Sequence, residues 1–193
     1  MIRDEMSNIV DNTGEELARR IAHERKARSW SLAELAAQSG VSKAMLSKIE
    51  RHEASPTAVV LLRIASAFAM TLAELLTDMQ EGTRLQRAAD QPVWNDPSTN
   101  YQRRQIYLTS RLPLELVEVI LPAGAVVSFP AASYTSIRHV VWVIEGRLTI
   151  VEDGNATALE TGDRLEFGPP ADTTYRNDTD APCRYLVTVI RQR

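Results

Sequence analysis

Two hydrophobic periods divide the chain. Up to Leu76 apolar residues recur at helical spacing, in groups at Leu17 and Ile21; Leu32, Leu35 and Ala36; Met45, Leu46 and Ile49; and Val59, Leu62, Ile64 and Ala65. From Tyr101 onward the period falls to two, the signature of half-buried strands.

The helical half is punctuated by caps. Ser31 stands three positions before Glu34, so its hydroxyl can accept from the third helical amide while the carboxylate reaches back to the Ser31 amide. Gly40 suits the left-handed stop of that helix, and Ser42 is an N-cap for the next. Met45, Leu46 and Ile49 then form one face, which turns Lys43, Ala44, Ser47, Lys48 and Arg51 outward. Thr13-Gly14-Glu15-Glu16 predicts the start of an earlier helix, Ser55-Pro56-Thr57 a later one, and Thr71-Leu72-Ala73-Glu74 a last short one. The reading is a five-helix domain over residues 13–78, after a disordered tail at 1–12. Residues 79–97 lack a stripe and read as a linker, with Gln80-Glu81-Gly82-Thr83 and Ala88-Ala89-Asp90-Gln91-Pro92 as its core. Trp94 is an isolated aromatic expected to staple that linker to a neighbouring domain.

In the second half, strands are predicted at 104–109, 114–120, 140–144, 147–151, 164–167 and 184–190, with turns at 121–124, 145–146, 153–155, 161–163 and 168–171. Many short strands with no helix between them imply an antiparallel double sheet or barrel over 98–193. If His139, Val141 and Val143 face inward, then Val140, Trp142 and Ile144 make an apolar exterior that water would not normally cover. A second subunit is the economical cover; a strand of the same barrel or the Trp94 segment is the competitor.

Two short helices joined by a glycine turn, the second with a small and basic outer face, form a helix-turn-helix. The stretch resembles the lambda repressor-like (Xre/Cro) DNA-binding family through Ser31-x-x-Glu34-Leu35-Ala36, Gly40-Val41-Ser42, Leu46-Ser47-Lys48-Ile49-Glu50, Pro56 and Leu62-x-Ile64-Ala65-x-Ala67-Phe68. The resemblance implies double-stranded operator DNA as partner, with Ser42, Lys43, Ala44, Ser47, Lys48 and Arg51 facing it, and a structural pair between Arg25 and Glu50. Leu32 stands where the family often has a phosphate-touching glutamine, so no contact is assigned there. The second half resembles the cupin domain, a small double-stranded β-barrel or jelly roll, through Trp142-Val143-Ile144-Glu145-Gly146-Arg147-Leu148 and Gly162-Asp163-Arg164-Leu165-Glu166-Phe167. Together the halves look like regulators that fuse an Xre-type domain to a cupin sensor.

Composition narrows this further. At 193 residues, 44% apolar and 24% charged, the chain is globular and long enough for two small domains. A net charge of -3 argues against a non-specific nucleic-acid binder. Between Glu15 and Glu53, however, Arg19, Arg20, Arg25, Lys26, Arg28, Lys43, Lys48 and Arg51 outnumber Glu15, Glu16, Glu24, Glu34, Glu50 and Glu53. The single cysteine, Cys183, forbids an internal disulfide or a multi-cysteine metal site. No run of 18 apolar residues occurs and the opening residues are too acidic for a secretion signal, so a cytoplasmic protein without membrane contact is expected.

Metal-dependent cupins are implied by the resemblance to carry paired histidines within Ala132 to Thr135, a glutamate at His139 and a further histidine within Thr173 to Tyr175. Here the chain offers one histidine, His139; His23 and His52 lie in the helical half. No metal, cofactor or catalytic residue is assigned. The ligand candidates are Tyr134, His139 and Tyr175, with Arg138 as a rim cation. The expectation is a dimeric regulator, read as a repressor, whose barrel senses a small-molecule effector. A metal-dependent cupin enzyme with an accessory DNA-binding domain and an antitoxin-like module are the alternatives.

Overall fold

A computed structural model describes residues 3–76, 84–109 and 111–191, with side chains from Gly14 onward. The chain separates into two compact units, residues 1–76 and 77–193. Gln80-Glu81-Gly82-Thr83, read as linker, lies outside the described residues.

Five helices build the first unit: α1 (Arg3–Ala27), α2 (Leu32–Ser39), α3 (Lys43–Glu50), α4 (Ala58–Ala67) and α5 (Leu72–Leu76). The expected capping box starts α2: the Glu34 amide donates to Ser31 Oγ at 3.2 Å, and the Ser31 amide to Glu34 Oε2 at 2.6 Å. Gly40 stops it at φ +66°, a backbone that an L side chain rarely adopts. Thr71 and Glu74 repeat the box before α5, at 2.7 and 3.1 Å.

Three expectations need correction. The helix expected to open at Thr13 begins at Arg3, so residues 3–12, read as a disordered tail, are helical backbone. Gly14 looked like a boundary because glycine weakens a helix interior by about 1 kcal/mol. Its actual role is packing, since a Cβ there would run into the His52 ring. In α4 the buried stripe is Ala58, Leu61, Ile64 and Ala65 instead of one through Val59 and Leu62, because Thr57 caps the helix and sets its phase. Met45, expected with Leu46 and Ile49 on the inner face, is 40% exposed; the latter two are buried.

The core of this unit joins Leu17 and Ile21 of α1 to Leu35, Leu46, Ile49, Leu61, Ile64 and Leu75. One ion pair crosses it. Arg25 Nε and Nη2 donate to Glu50 Oε1 and Oε2, each at 2.7 Å, while Nη1 donates to the Trp30 carbonyl at 2.7 Å. This confirms the pair implied by the family resemblance. The side chains are only 12% and 11% exposed, so each charge depends on the other for solvation.

Ten strands build the second unit: β1 (Val93–Asn95), β2 (Gln102–Leu108), β3 (Leu114–Leu121), β4 (Val126–Phe129), β5 (Ile137–Glu145), β6 (Arg147–Glu152), β7 (Asn155–Glu160), β8 (Arg164–Glu166), β9 (Thr173–Arg176) and β10 (Cys183–Arg191). They pair into a six-stranded sheet, β1-β2-β3-β10-β5-β8, and a four-stranded sheet, β4-β9-β6-β7, all antiparallel. Four of these strands, β1, β4, β7 and β9, have no counterpart in the period-two reading. In β7 only Leu159 is buried, so its sequence carries no apolar alternation; pairing with β6 holds it.

The segment read as linker up to residue 97 also needs revision. Trp94 lies in β1, opposite Arg103 of β2, and its ring meets Tyr101 edge-on at 6.0 Å. Asp96 closes this hairpin, one carboxylate oxygen accepting from the amides and hydroxyls of Ser98 and Thr99. The staple expected of Trp94 therefore acts within the barrel sheet itself. At the β5–β6 turn Gly146 has φ +86°, and a Cβ there would sit 3.0 Å from the Pro182 carbonyl, a second reason for glycine.

Removing one partner of the Arg25–Glu50 pair leaves a buried, uncompensated charge. Glu50→Ala is expected to destabilise the helical unit by about 3 kcal/mol, read as a lower urea midpoint by far-ultraviolet circular dichroism. An unchanged midpoint would show that the pair contributes no net stability.

Candidate nucleic-acid interface and ligand cleft

The outer face of α3 is set by what its inner face buries. Ser42 caps the helix in extended conformation, its Oγ accepting from the Met45 amide at 3.2 Å. Burial of Leu46 and Ile49 then leaves Lys43, Ala44 and Lys48 exposed and Ser47 half-buried. The six residues expected to face DNA do not start from equal positions. Arg51 donates to both oxygens of Glu53, at 2.6 and 2.7 Å, and also to Ser47 Oγ. Reaching a phosphate would require Arg51 to exchange an exposed pair that stabilises little. Among the described residues Lys43 and Lys48 make no ion pair.

The basic count of this unit is thereby reduced. Arg20 and Arg28 both pair with Glu24, at 3.1 and 2.7 Å, and Arg28 also caps the Phe68 carbonyl at 2.7 Å and covers the Phe68 ring. Arg25 belongs to Glu50. Much of the positive charge counted in the sequence therefore holds the unit together, and among the described residues Lys43 and Lys48 are the α3 lysines without an ion pair, Lys48 standing within electrostatic reach of Glu53.

In the barrel, β5 alternates as expected: His139, Val141 and Val143 are buried, whereas Trp142 is 50% exposed. Trp142 Nε1 donates to the Gly162 carbonyl at 3.1 Å, which pins the indole along the surface. A one-turn 3-10 helix at Ala131–Tyr134 delivers Tyr134 to the inward end of β5; its first amide is held by Asp172 at 2.8 Å. The His139 ring is clamped between Tyr134, with centroids 4.8 Å apart, and Phe167 at 3.8 Å. The Phe167 amide donates to the His139 carbonyl at 3.2 Å, so the end of β8 is tied to the residue it stacks on.

These residues floor an open cleft, completed by Ile137, Arg138, Glu152, Thr173 and the Gly168–Ala171 loop. Three of the four expected ligand residues, Tyr134, Arg138 and His139, line it. Tyr175 lies behind, its hydroxyl 3.4 Å from His139 Nε2. Glu152, Phe167 and Thr173 went unrecognised. Thr173 had a signal, since it precedes Tyr175 by two and shares its face; Glu152 had none, because an acidic residue before a turn usually faces water.

The cleft floor is buried. Burial pushes the His139 imidazole down to about 4, so it is neutral at pH 7. Burial likewise pushes the phenols of Tyr134, Tyr175 and Tyr185 upward, and Cys183 in β10 up to about 11, which keeps its thiol protonated. The Tyr134 hydroxyl faces Tyr175 and Thr173 but has no hydrogen-bond partner of good geometry. The positions where metal-dependent cupins are implied to carry histidines hold Tyr134, Thr173 and Tyr175. Among the described residues no three histidine, cysteine or acidic side chains converge.

A capped helix-turn-helix unit followed by an antiparallel barrel with an inward cleft defines a two-domain protein whose first domain is of the DNA-binding kind. Comparison with known proteins gives the same division. Residues 14–75 match the helix-turn-helix family model HTH_3, and residues 117–189 match the cupin domain model Cupin_2. The HTH-type transcriptional regulator SutR of Escherichia coli (strain K12) is 31% identical over 174 residues, covering 87% of this chain and 90% of that protein. The chain belongs to this family of HTH-type transcriptional regulators with a cupin domain. A crystal structure of an HTH_3 family transcriptional regulator from Vibrio cholerae has the same fold, at TM-score 0.79 and 22% identity over 95% of this chain and 99% of that one. No described helix is long and apolar enough to cross a membrane.

With His139 at about 4 when folded and near 6.5 when unfolded, the unfolded chain binds more protons between those values. Stability is therefore full above pH 6.5 and falls as the pH drops toward 4, by about 3 kcal/mol from this site. His139→Phe, which keeps the stack, is expected to flatten that acid-side loss in urea titrations at pH 7 and 4.5. An identical acid slope in the variant would contradict a buried neutral imidazole.

Proposed function

We propose that the chain is a dimeric cytoplasmic repressor that binds a two-fold operator through α3 and joins and regulates its two copies through the barrel. The observation that carries the DNA reading is the pair of exposed cations, Lys43 and Lys48, on a helix whose inner face and far end are fixed by Leu46, Ile49 and the Arg25–Glu50 pair. A helix held that rigidly can present side chains to base edges in a constant register. Lys43, Ala44, Ser47 and Lys48 meet the groove, and Ser42 and Arg51 lie nearer the backbone. Kinship with a protein named as a transcriptional regulator supports the same assignment.

Two-fold symmetry is the second half of the reading. Domains of this type read half-sites about 34 Å apart and need a partner to do so. On the outer face of the six-stranded sheet, Trp142 pairs in register with Leu186, Val140 with Thr188, and Thr188 in turn with Leu116. Trp142 and Ile190 are 50% and 51% exposed, an apolar surface that a second copy would cover. Full-length protein is expected to sediment as a dimer at tens of micromolar and Trp142→Glu as a monomer. A wild-type monomer, or a variant that remains dimeric, would remove this face from the reading.

The DNA assignment is tested on duplexes selected by the full-length protein from a randomised library. Lys48→Ala is expected to cost about 1–3 kcal/mol in operator affinity. It should also relax preference at one base pair if Lys48 reads guanine, or weaken all sequences alike if it meets phosphate. Equal operator affinity for wild type and the Lys43→Ala, Lys48→Ala double variant, measured by fluorescence anisotropy, would displace α3 as the recognition helix.

A further inference from the structure

The barrel cleft holds an arrangement of charge that sensing in general does not require. Glu152 ends β6 on the same face as Leu148 and Ile150, whose side chains fill the interior, and stands opposite buried Thr173 of β9. Glu152 is half-buried there. Its one contact is the Gly168 amide, long at 3.4 Å, and it meets no cation among the described residues. It lies close enough to oppose ionisation of Tyr134. At the mouth of the same cleft stands Arg138, exposed and likewise without an ion-pair partner among the described residues. The two opposite charges do not pair with each other, though both line one small space. Beside them the Tyr134 hydroxyl, 8% exposed, has no partner of good geometry. Phe167 and neutral His139 supply apolar walls.

We infer that the cleft takes a small zwitterion of the α-amino-acid class. Its ammonium group donates to the Glu152 carboxylate and to the Tyr134 hydroxyl oxygen, and its carboxylate pairs with Arg138. The side chain lies against the Phe167 and His139 faces. Joining the two charges through a ligand satisfies both at once, whereas a simple cation leaves Arg138 idle and a simple anion leaves Glu152 uncompensated. This inference rests on the reading of the barrel as an effector-sensing domain.

The test presents each of the twenty proteinogenic L-amino acids separately, at millimolar concentration, to the full-length chain, with thermal unfolding as the screen and calorimetric titration for the affinity. At least one is expected to raise the unfolding temperature and bind. Its methyl ester, which keeps only the cation, and its N-acetyl form, which keeps only the anion, should each bind at least tenfold more weakly. Glu152→Gln and Arg138→Gln, with unfolding midpoints confirming that they fold, should weaken the parent amino acid to the same degree. An ester or N-acetyl form that binds as well as the parent, or variants that bind it as wild type does, would overturn the zwitterion. So would the absence of any response to all twenty. In that last case a deproteinised cell extract separates the two readings: if it stabilises wild type but not Glu152→Gln, the barrel still senses an effector of another class, and if it stabilises neither, effector sensing falls as well.

Discussion

The barrel depends on β10. This tenth strand pairs with β3 from Cys183 opposite Leu121 to Ile190 opposite Leu114, and on its other edge with β5 from Arg184 to Arg191. Both neighbours come from far earlier in the chain, so the six-stranded sheet cannot close until β10 arrives, and both of its strand pairings are non-local. Its alternation is also the reason the two faces of the sheet have different uses. Tyr185, Val187 and Val189 point into the interior, and Leu186, Thr188 and Ile190 point out. A register slip of one residue would exchange the two sets. Asn177, fully buried, supports the closure from outside the ladder by donating to the Leu121, Pro122 and Ala181 carbonyls and accepting from Thr179.

The helical unit solves a smaller problem with different means. Short helices of eight residues are marginal by themselves, and their ends leave many backbone groups unsatisfied. Here Ser31, Ser42, Thr57 and Thr71 each cap a helix start, and Arg25 ties the end of α3 back to α1 and to the Trp30 carbonyl. The same charge that a composition count would assign to nucleic acid is thus consumed in holding the recognition helix steady. What is left for a partner is small in number and fixed in position, which suits discrimination between sequences more than general adhesion.

The two halves also treat polar groups differently. In the helical unit the buried charge is satisfied internally, guanidinium to carboxylate. The barrel carries hydroxyls, a neutral imidazole and a half-buried carboxylate in a cleft where they find few partners among the described residues. Burial keeps His139 uncharged and the phenols protonated, so the floor presents neutral dipoles and reserves charge for the rim. Access, shape and charge at that rim are then set by a loop and two strand ends, elements that can vary without disturbing the β10 ladder.

Local chemistry settled much of this from the sequence alone. The caps at Ser31, Ser42 and Thr71, the stop at Gly40, the change of hydrophobic period and the inward face of β5 each depend on residues within a few positions of one another, so they could be read directly. Two resemblances extended that reading to the helix-turn-helix and cupin folds, to the Arg25–Glu50 pair and to three of the four residues expected in the cleft. Tertiary structure decided the rest, where distant residues supply the reason. Gly14 lies within α1 because His52 packs on it, and β7 is a strand because β6 pairs with it. Trp94 belongs to the sheet because Arg103 and Tyr101 meet it. Glu152 and Phe167 enter the cleft only because β6 and β8 bring them beside His139. Sequence spacing reports which face a residue takes on its own element, but which elements share that face is fixed by long-range pairing, and no local pattern encodes it.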